Sequence, residues 1–312
     1  MGLFEIATRA KSKARIALTG PSGSGKTLSA LYLAYGFTGD WNKIALIDTE
    51  HERGRFYAGR DDLKTGAFLY ASLTPPYSAE RYISYVNEAS KAVGEDGVVI
   101  IDSFSHAWDN EGGVLDYKSE IAKRQGKNEY TAWADAGKVQ NNLVNTILSA
   151  PCHTIITMRA KMAYAMEMND KGKTVPVKIG LAPVQRENTE YEFDICFQIA
   201  QNHIAGISKD TTFLDGWSGV ITPELGSQLN EFLSKGVNLP RCTDCKSVIT
   251  AGKTKSVQQI IAGSVKNYGR QLCIQCSRKA MNEQKEKAEN EKAEKEKAEK
   301  ENAASTVSHD RT

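Results

Sequence analysis

The chain has 312 residues, 40% of them hydrophobic and 25% charged, and a net charge of +2, so it suffices for one large core plus a small module. It has no long apolar run, and Met1 to Lys13 lacks the apolar core of a secretory leader. These features argue against membrane-spanning and exported classes and predict a cytoplasmic protein with no membrane partner. The small net charge conceals a segregation: residues 237–280 carry +7, residues 281–312 carry -2, and residues 1–236 carry -3. Electrostatic attraction for nucleic acid is therefore expected to concentrate near the C-terminus.

The first element is an apolar strand at Ile16-Ala17-Leu18, followed by Gly20, Pro21, Ser22, Gly23, Ser24, Gly25, Lys26 and Thr27 and then a helix carrying Leu28, Leu31, Leu33 and Ala34. This is a complete G-x-x-x-x-G-K-[ST] loop in the strand-to-helix setting that a phosphate loop requires. Glycines let successive backbone N–H groups converge on an anion, and the helix adds its positive end. Lys26 is expected to reach the β- and γ-phosphates of ATP, and Thr27 to bind magnesium.

Lys43 to His51 reads as a second apolar strand that ends in two acids, Asp48 and Glu50. Side chains at i and i+2 of a strand share a face, so the two carboxylates are expected to point together toward the edge where ligands bind in open α/β sheets. A carboxylate there would activate the water that attacks the γ-phosphate; the alternative is a solvated strand end. A helix is predicted from about Ala79 to Ala92, then a strand from Gly97 to Ile101 ending in Asp102, which is expected to hold magnesium through its water shell.

Residues 104–136 are rich in glycine, charge and aromatic rings, including Trp108, Tyr117, Tyr130 and Trp133. Each ring reads as local core, with base stacking as the alternative. A helix over 141–148 and a strand over 153–157 precede a polar stretch, 159–178, read as a long basic loop. Its Arg159, Lys161, Lys171 and Lys173 are the candidate contacts to a phosphate backbone. Residues 191–200 and 203–209 read as consecutive strands extending one edge of the sheet.

Cys152 and Cys196 stand alone in apolar surroundings, whereas Cys242-x-x-Cys245 and Cys273-x-x-Cys276 form two pairs. In a reducing compartment such pairs predict a tetrahedral zinc site rather than disulfides, with two redox pairs as the alternative. A short helix is predicted over 256–262 between them. With zinc bound to four thiolates the module stays near +5, suited to a nucleic-acid backbone with Tyr268 stacking on a base, or else to a structural role in protein contacts. From Glu286 a five-residue Glu/Lys/Ala repeat predicts a solvated charged helix and not a coiled coil, with residues 303–312 disordered.

The phosphate loop, Ile47-Asp48-Thr49-Glu50-His51 with Tyr57, Ile101-Asp102-Ser103, and Thr157-Met158-Arg159-Ala160-Lys161 resemble the RecA recombinase core in the same order. Asp102-Ser103-Phe104-Ser105-His106-Ala107-Trp108 with Gly112-Gly113, and Tyr191-Glu192-Phe193-Asp194, resemble more specifically the RecA-like single-strand-annealing ATPases of phages, the Sak-type group. The resemblance covers roughly 14–215. It implies that Glu50 is the catalytic carboxylate, that Tyr57 packs on adenine, and that the loops after Asp102 and Thr157 face DNA. Thr157 replaces a γ-phosphate-sensing glutamine, Gly54 replaces an adenine-holding acid, and Lys209 resembles a lysine that reaches a neighbouring subunit's nucleotide, with Thr211 where related ATPases often place Arg.

The expected architecture is α/β: a RecA-like P-loop NTPase core with a mainly parallel sheet (1–236), a four-cysteine zinc-ribbon module (237–280) and a charged helical or disordered tail (281–312). The expected function is a DNA-dependent ATPase in recombination that binds single-stranded DNA and promotes strand annealing or exchange, using ATP, magnesium and zinc, with Lys26 and Glu50 catalytic. The resemblance implies a homo-oligomer, partnership with a single-strand-binding or other recombination protein, and, if phage-encoded, the host cytoplasm. The alternative is a nucleotide-gated scaffold or loader that acts on partner proteins and hydrolyses ATP slowly; a small-molecule kinase is disfavoured because no second substrate pocket is legible.

Overall fold

The computed structural model describes residues 7–125, 128–168 and 174–289. Lys11–Gly236 form one compact unit, and the described residues 7–10 and 237–289 belong to another. No helix among the described residues is long and apolar enough to cross a membrane.

In the larger unit β1 (Arg15–Gly20) runs into α1 (Lys26–Thr38), and β2 (Ile44–Asp48) and β3 (Leu69–Ser72) precede α2 (Ala79–Val93). Then β4 (Val98–Asp102) leads through a single turn, α3 (His106–Asp109), to α4 (Val114–Gln125) and α5 (Glu129–Leu148). After them come β5 (His153–Met168), β6 (Thr174–Pro183), β7 (Ile195–Ile199), β8 (Ala205–Lys209), β9 (Ser218–Gly219) and α6 (Pro223–Ser234). The sheet order is β3-β2-β4-β5-β1-β7-β8-β9, with β6 paired to β5. The strands from β3 to β7 along that order are parallel, while β8 and β9 add an antiparallel edge.

Because strand side chains alternate between faces, each central strand divides its apolar residues between two cores. Ile16, Leu18, Ile44, Leu46, Val98 and Ile100 pack with α1 and α6, whereas Ala17, Ala45, Ile47, Val99 and Ile101 pack with α2 and α5. Burial on both faces explains why these strands read as continuous apolar runs. Arg15 ties β1 to the end of α5, donating through Nε to the Leu148 carbonyl at 2.7 Å and through Nη2 to that of Ala150 at 2.5 Å.

Three sequence expectations change. Residues 159–168 and 174–178 of the expected loop are strand: β5 continues to Met168 and pairs antiparallel with β6, starting at Ala160–Pro183. The alternation Val175, Val177, Ile179, Leu181 is the strand signal that the surrounding lysines obscured. β2 stops at Asp48, so Glu50 lies in the following turn and the i,i+2 argument does not apply to it. The helix expected over 141–148 begins much earlier, at Glu129, behind an Asn128 side chain that accepts from the Thr131 N–H.

α1 and α6 cross where two glycines meet. A Cβ on Gly36 would lie 2.1 Å from the Pro223 carbonyl oxygen and 2.7 Å from Gly226 Cα. Gly36→Ala is expected to destabilise the core by about 1–3 kcal/mol, the usual cost of overpacking, measured as a lower urea midpoint. Gly206→Ala, whose Cβ would meet nothing within 4 Å, is the control expected to leave the midpoint in place.

Candidate active site

The loop between β1 and α1 is shaped by Gly23 at φ 79° and Gly25 at φ 90°, left-handed conformations that side chains disfavour. Lys26, the first helical residue, is buried and donates to the carbonyls of Gly20 at 2.9 Å and Pro21 at 2.8 Å. Burial lowers its pKa, opposed by the charges of Asp102 and Glu50. Ser24 Oγ is buried without a partner among the described residues. The turn after β7 braces the loop from outside: Gln201 Nε2 donates to the Ser22 carbonyl at 3.3 Å and His203 Nδ1 to that of Ser24 at 3.0 Å. A Cβ on Gly20 would lie 2.5 Å from the Ile199 carbonyl oxygen. Sequence reasoning missed this brace, because nothing in the sequence pairs 199–203 with the loop some 180 positions earlier.

Opposite the loop, Asp102 Oδ2 accepts from Thr27 Oγ1 at 2.6 Å, and Oδ1 from Thr157 Oγ1 at 2.5 Å. Burial raises the Asp102 pKa against both hydroxyl donors. Turned loop, buried ammonium, orphan serine hydroxyl and paired hydroxyl and carboxylate fit a triphosphate with its magnesium: Lys26 would meet the phosphates and Thr27 and Asp102 the metal. Magnesium, when bound, neutralises the charge of the phosphates.

Glu50 is held by a fork, with Arg159 Nε donating to Oε1 at 2.8 Å and Nη2 to Oε2 at 2.5 Å. Burial opposes ionisation of Glu50, but Arg159 outweighs it and the carboxyl titrates below its usual range. His106 Nε2 lies 3.8 Å from Oε1; burial, then the Arg159 charge, lowers its pKa, so its ring is a neutral neighbour. Nδ1 of the same ring lies 2.7 Å from Thr49 Oγ1, which also accepts from the Ser103 N–H at 2.8 Å. These contacts link the turns after β2 and β4. Asp48 instead accepts from the N–H groups of Glu50 (2.5 Å) and Gly54 (2.8 Å) and from the Tyr70 hydroxyl (2.9 Å). It shapes the turn, and the carboxylates whose charges act on Lys26 are Asp102 and Glu50.

Tyr57 closes a 3-10 turn, Arg53–Tyr57, and its ring packs on the first core; burial, then the charge of Asp102, raises its pKa. Lys161 is exposed and reaches Asp109 at 3.2 Å. Lys171 and Lys173 lie outside the described residues. Lys209 donates within its own chain to the Tyr191 carbonyl. Thus the structure gathers Lys26, Thr27, Glu50, Asp102 and Arg159 around one point and puts Lys161 farther along β5.

The second site is in the smaller unit, where α7 (Val257–Tyr268) opens with a Ser256–Gln259 capping box and residues 274–289 form a further helix. The sulfur atoms of Cys242, Cys245, Cys273 and Cys276 lie within 4.8 Å of one another. Cys245 and Cys273 Sγ are 3.7 Å apart, close to the edge of about 3.8 Å that Zn–S bonds of roughly 2.3 Å give a tetrahedron. Burial opposes ionisation of Cys242, but backbone N–H groups of Cys245, Cys273 and Asp244 bring its thiol down to about 6. The donor set and spacing fit a thiophilic metal. The described residues of this unit hold two helices and two isolated bridges, Ala10–Val237 and Arg241–Val248, where a zinc ribbon would place β-hairpins. Arg270 forks onto Asp244, and the charged repeat expected in the tail lies outside the described residues from position 290 on.

A phosphate loop with an acid at the end of each of two adjacent parallel strands defines a P-loop nucleoside triphosphatase. Residues 12–224 match the family described as the AAA domain, and the chain belongs to it; its core is an ATP-binding and hydrolysing domain. No curated protein matches the chain.

Lys26 and Glu50 have separable jobs. Lys26→Ala is expected to abolish nucleotide binding in equilibrium titration. Glu50→Gln is expected to bind ATP normally and hydrolyse it at least about 100-fold more slowly, the scale of a lost general base; near-normal turnover would assign the base elsewhere.

Proposed function

We propose that this protein is a magnesium-dependent recombination ATPase with a RecA-like core, which assembles as a homo-oligomer on single-stranded DNA and promotes strand annealing or exchange. The observation that carries the reading is the Glu50–Arg159 fork. Arg159 stands on β5 where that strand leaves its pairing with β1 for the β5–β6 hairpin, so the residue that holds the general base also adjoins the hairpin that carries Lys161. Its N–H donates to Ser105 Oγ at 2.9 Å, and the Phe104 N–H donates to the Thr157 carbonyl at 2.9 Å, which fastens the hairpin to the turn after Asp102. The family resemblance assigns these same two segments to DNA.

Held by the fork, Glu50 stays charged and its basicity is lowered, which makes it a weaker acceptor for the proton of the attacking water. A DNA phosphate at the hairpin competes for the Arg159 guanidinium, and Glu50 then turns to its water. Lys161 lies two residues farther along the strand as a second phosphate contact. The four-cysteine module, holding zinc, adds affinity through its positive charge.

Single-stranded DNA is expected to raise the ATPase rate at low salt. Arg159→Ala, which leaves Glu50 unheld, is expected to bring the ratio of rates with and without DNA close to one while retaining most DNA affinity. If DNA neither binds the intact protein nor changes its turnover, the recombination reading fails and a nucleotide-gated scaffold takes its place.

For the metal, one zinc per chain is expected by elemental analysis. Chelation should unfold the smaller unit, because metal-binding energy is its folding energy, and should weaken DNA binding and flatten its salt dependence. A metal-free chain with protected amides across 257–268 would reject zinc.

A further inference from the structure

Between α3 and α5 lies a cavity of about 170 Å³ that none of the ATP-site chemistry uses. Trp108 and Trp133 wall it, with ring centroids 6.1 Å apart and planes 29° from parallel. Trp133 is 42% exposed and carries the Lys118 ammonium 4.7 Å from its ring centroid. Arg186 stands at the rim, its Nη1 donating to Asn141 Oδ1 at 2.8 Å.

Gln140, 1% exposed, also lines the cavity, and its amide orientation is fixed by a chain of bonds. Gln185 Nε2 must face the Phe104 carbonyl, an obligate acceptor, at 3.2 Å, and its Oε1 must face the Arg186 N–H, an obligate donor, at 2.8 Å. Gln140 therefore presents Nε2 to Gln185 Oε1, at 3.0 Å. Its own Oε1 is left as a buried acceptor with no partner among the described residues, an arrangement that is costly unless a donor arrives.

Gly137 supplies a further observation. It stands inside α5, where glycine weakens a helix relative to alanine, yet a Cβ there would meet nothing within 4 Å. Sterics of the chain itself do not require glycine; the open space lies in the cavity wall.

We propose that this slot receives one unpaired nucleobase of single-stranded DNA, its ring against the two tryptophans and a ring or exocyclic N–H donating to Gln140 Oε1. A dry cavity of roughly 150 Å³ accommodates benzene, so a volume of about 170 Å³ suits the six-membered ring of a pyrimidine. Aromatic walls bind every base face and supply stacking without sequence readout. Arg186 and Lys118 place positive charge where the flanking phosphates run, and none of the lining residues is acidic. An aromatic side chain of a partner protein could fill the space, but only a nucleotide also brings phosphates to Arg186 and Lys118, which favours the base. The proposal rests on the DNA-binding reading above.

The test uses the full chain and a short oligo(dT) carrying a single 5-iodouracil, irradiated and mapped by mass spectrometry, with affinity measured by fluorescence anisotropy. The expected crosslink falls on Trp108 or Trp133. Gly137→Leu fills the slot and is expected to lower crosslink yield at least about tenfold, with an unchanged melting temperature and DNA-free ATPase rate. Trp133→Ala, at a half-exposed position, is expected to lose the crosslink in the same way and serves if the leucine variant does not fold. Crosslinks confined to other residues, or equal yield in both variants, would overturn the slot while leaving the DNA reading intact. No binding of the oligonucleotide by the wild-type chain would overturn both.

Discussion

Three carboxylates stand close together at the ends of two adjacent strands, and the site depends on how each charge is met. Asp48 and Asp102 are register partners on β2 and β4, and Glu50 lies two residues past the first. Like charges this close in a partly buried setting raise one another's pKa unless each has its own compensation. Asp48 is satisfied by two backbone N–H groups and Tyr70, whose hydroxyl is pushed up to about 12 by burial and by that bond, and so stays a donor at neutral pH. Asp102 receives two threonine hydroxyls, and Glu50 receives a guanidinium. The partners sort the three by role: a structural anchor, a group beside the phosphate-loop threonine, and a base kept charged but occupied.

The compensation also explains a glycine. A Cβ on Gly54 would lie 2.5 Å from Leu46 Cδ2 and 2.9 Å from Asp48 Oδ2, so the turn that lets Asp48 collect its donors leaves no room for a side chain. The acid that the recombinase pattern would place there cannot be accommodated without moving the anchor. The Thr157 departure likewise has a local consequence: its hydroxyl is committed to Asp102, which ties β5 to the acid at the end of β4.

Much of this was legible in the sequence where one local rule decided the outcome. The phosphate loop, the strand ending in Asp102 and the four clustered cysteines each combine distinctive residues with distinctive spacing. The position of Glu50 was legible only through family resemblance, since the strand argument grouped it with Asp48 and the turn separates them. The β5–β6 hairpin was hidden because charge drew attention away from a period of two. The brace from Gln201 and His203, the Glu50–Arg159 fork and the Gln140–Gln185 chain join positions 45 to 179 residues apart. No single-sequence pattern encodes such pairings, which arise from the order in which parallel strands are laid side by side.

The central claim is that Arg159 moves between the general base and the nucleic acid. It is tested most directly by determining the structure of the full chain with a non-hydrolysable ATP analogue and magnesium, with and without single-stranded DNA. The account predicts that without DNA the Arg159 guanidinium keeps both contacts to Glu50, and that with DNA at least one oxygen of Glu50 is released and the guanidinium meets a phosphate. An intact fork in both structures, with DNA bound elsewhere, would contradict it.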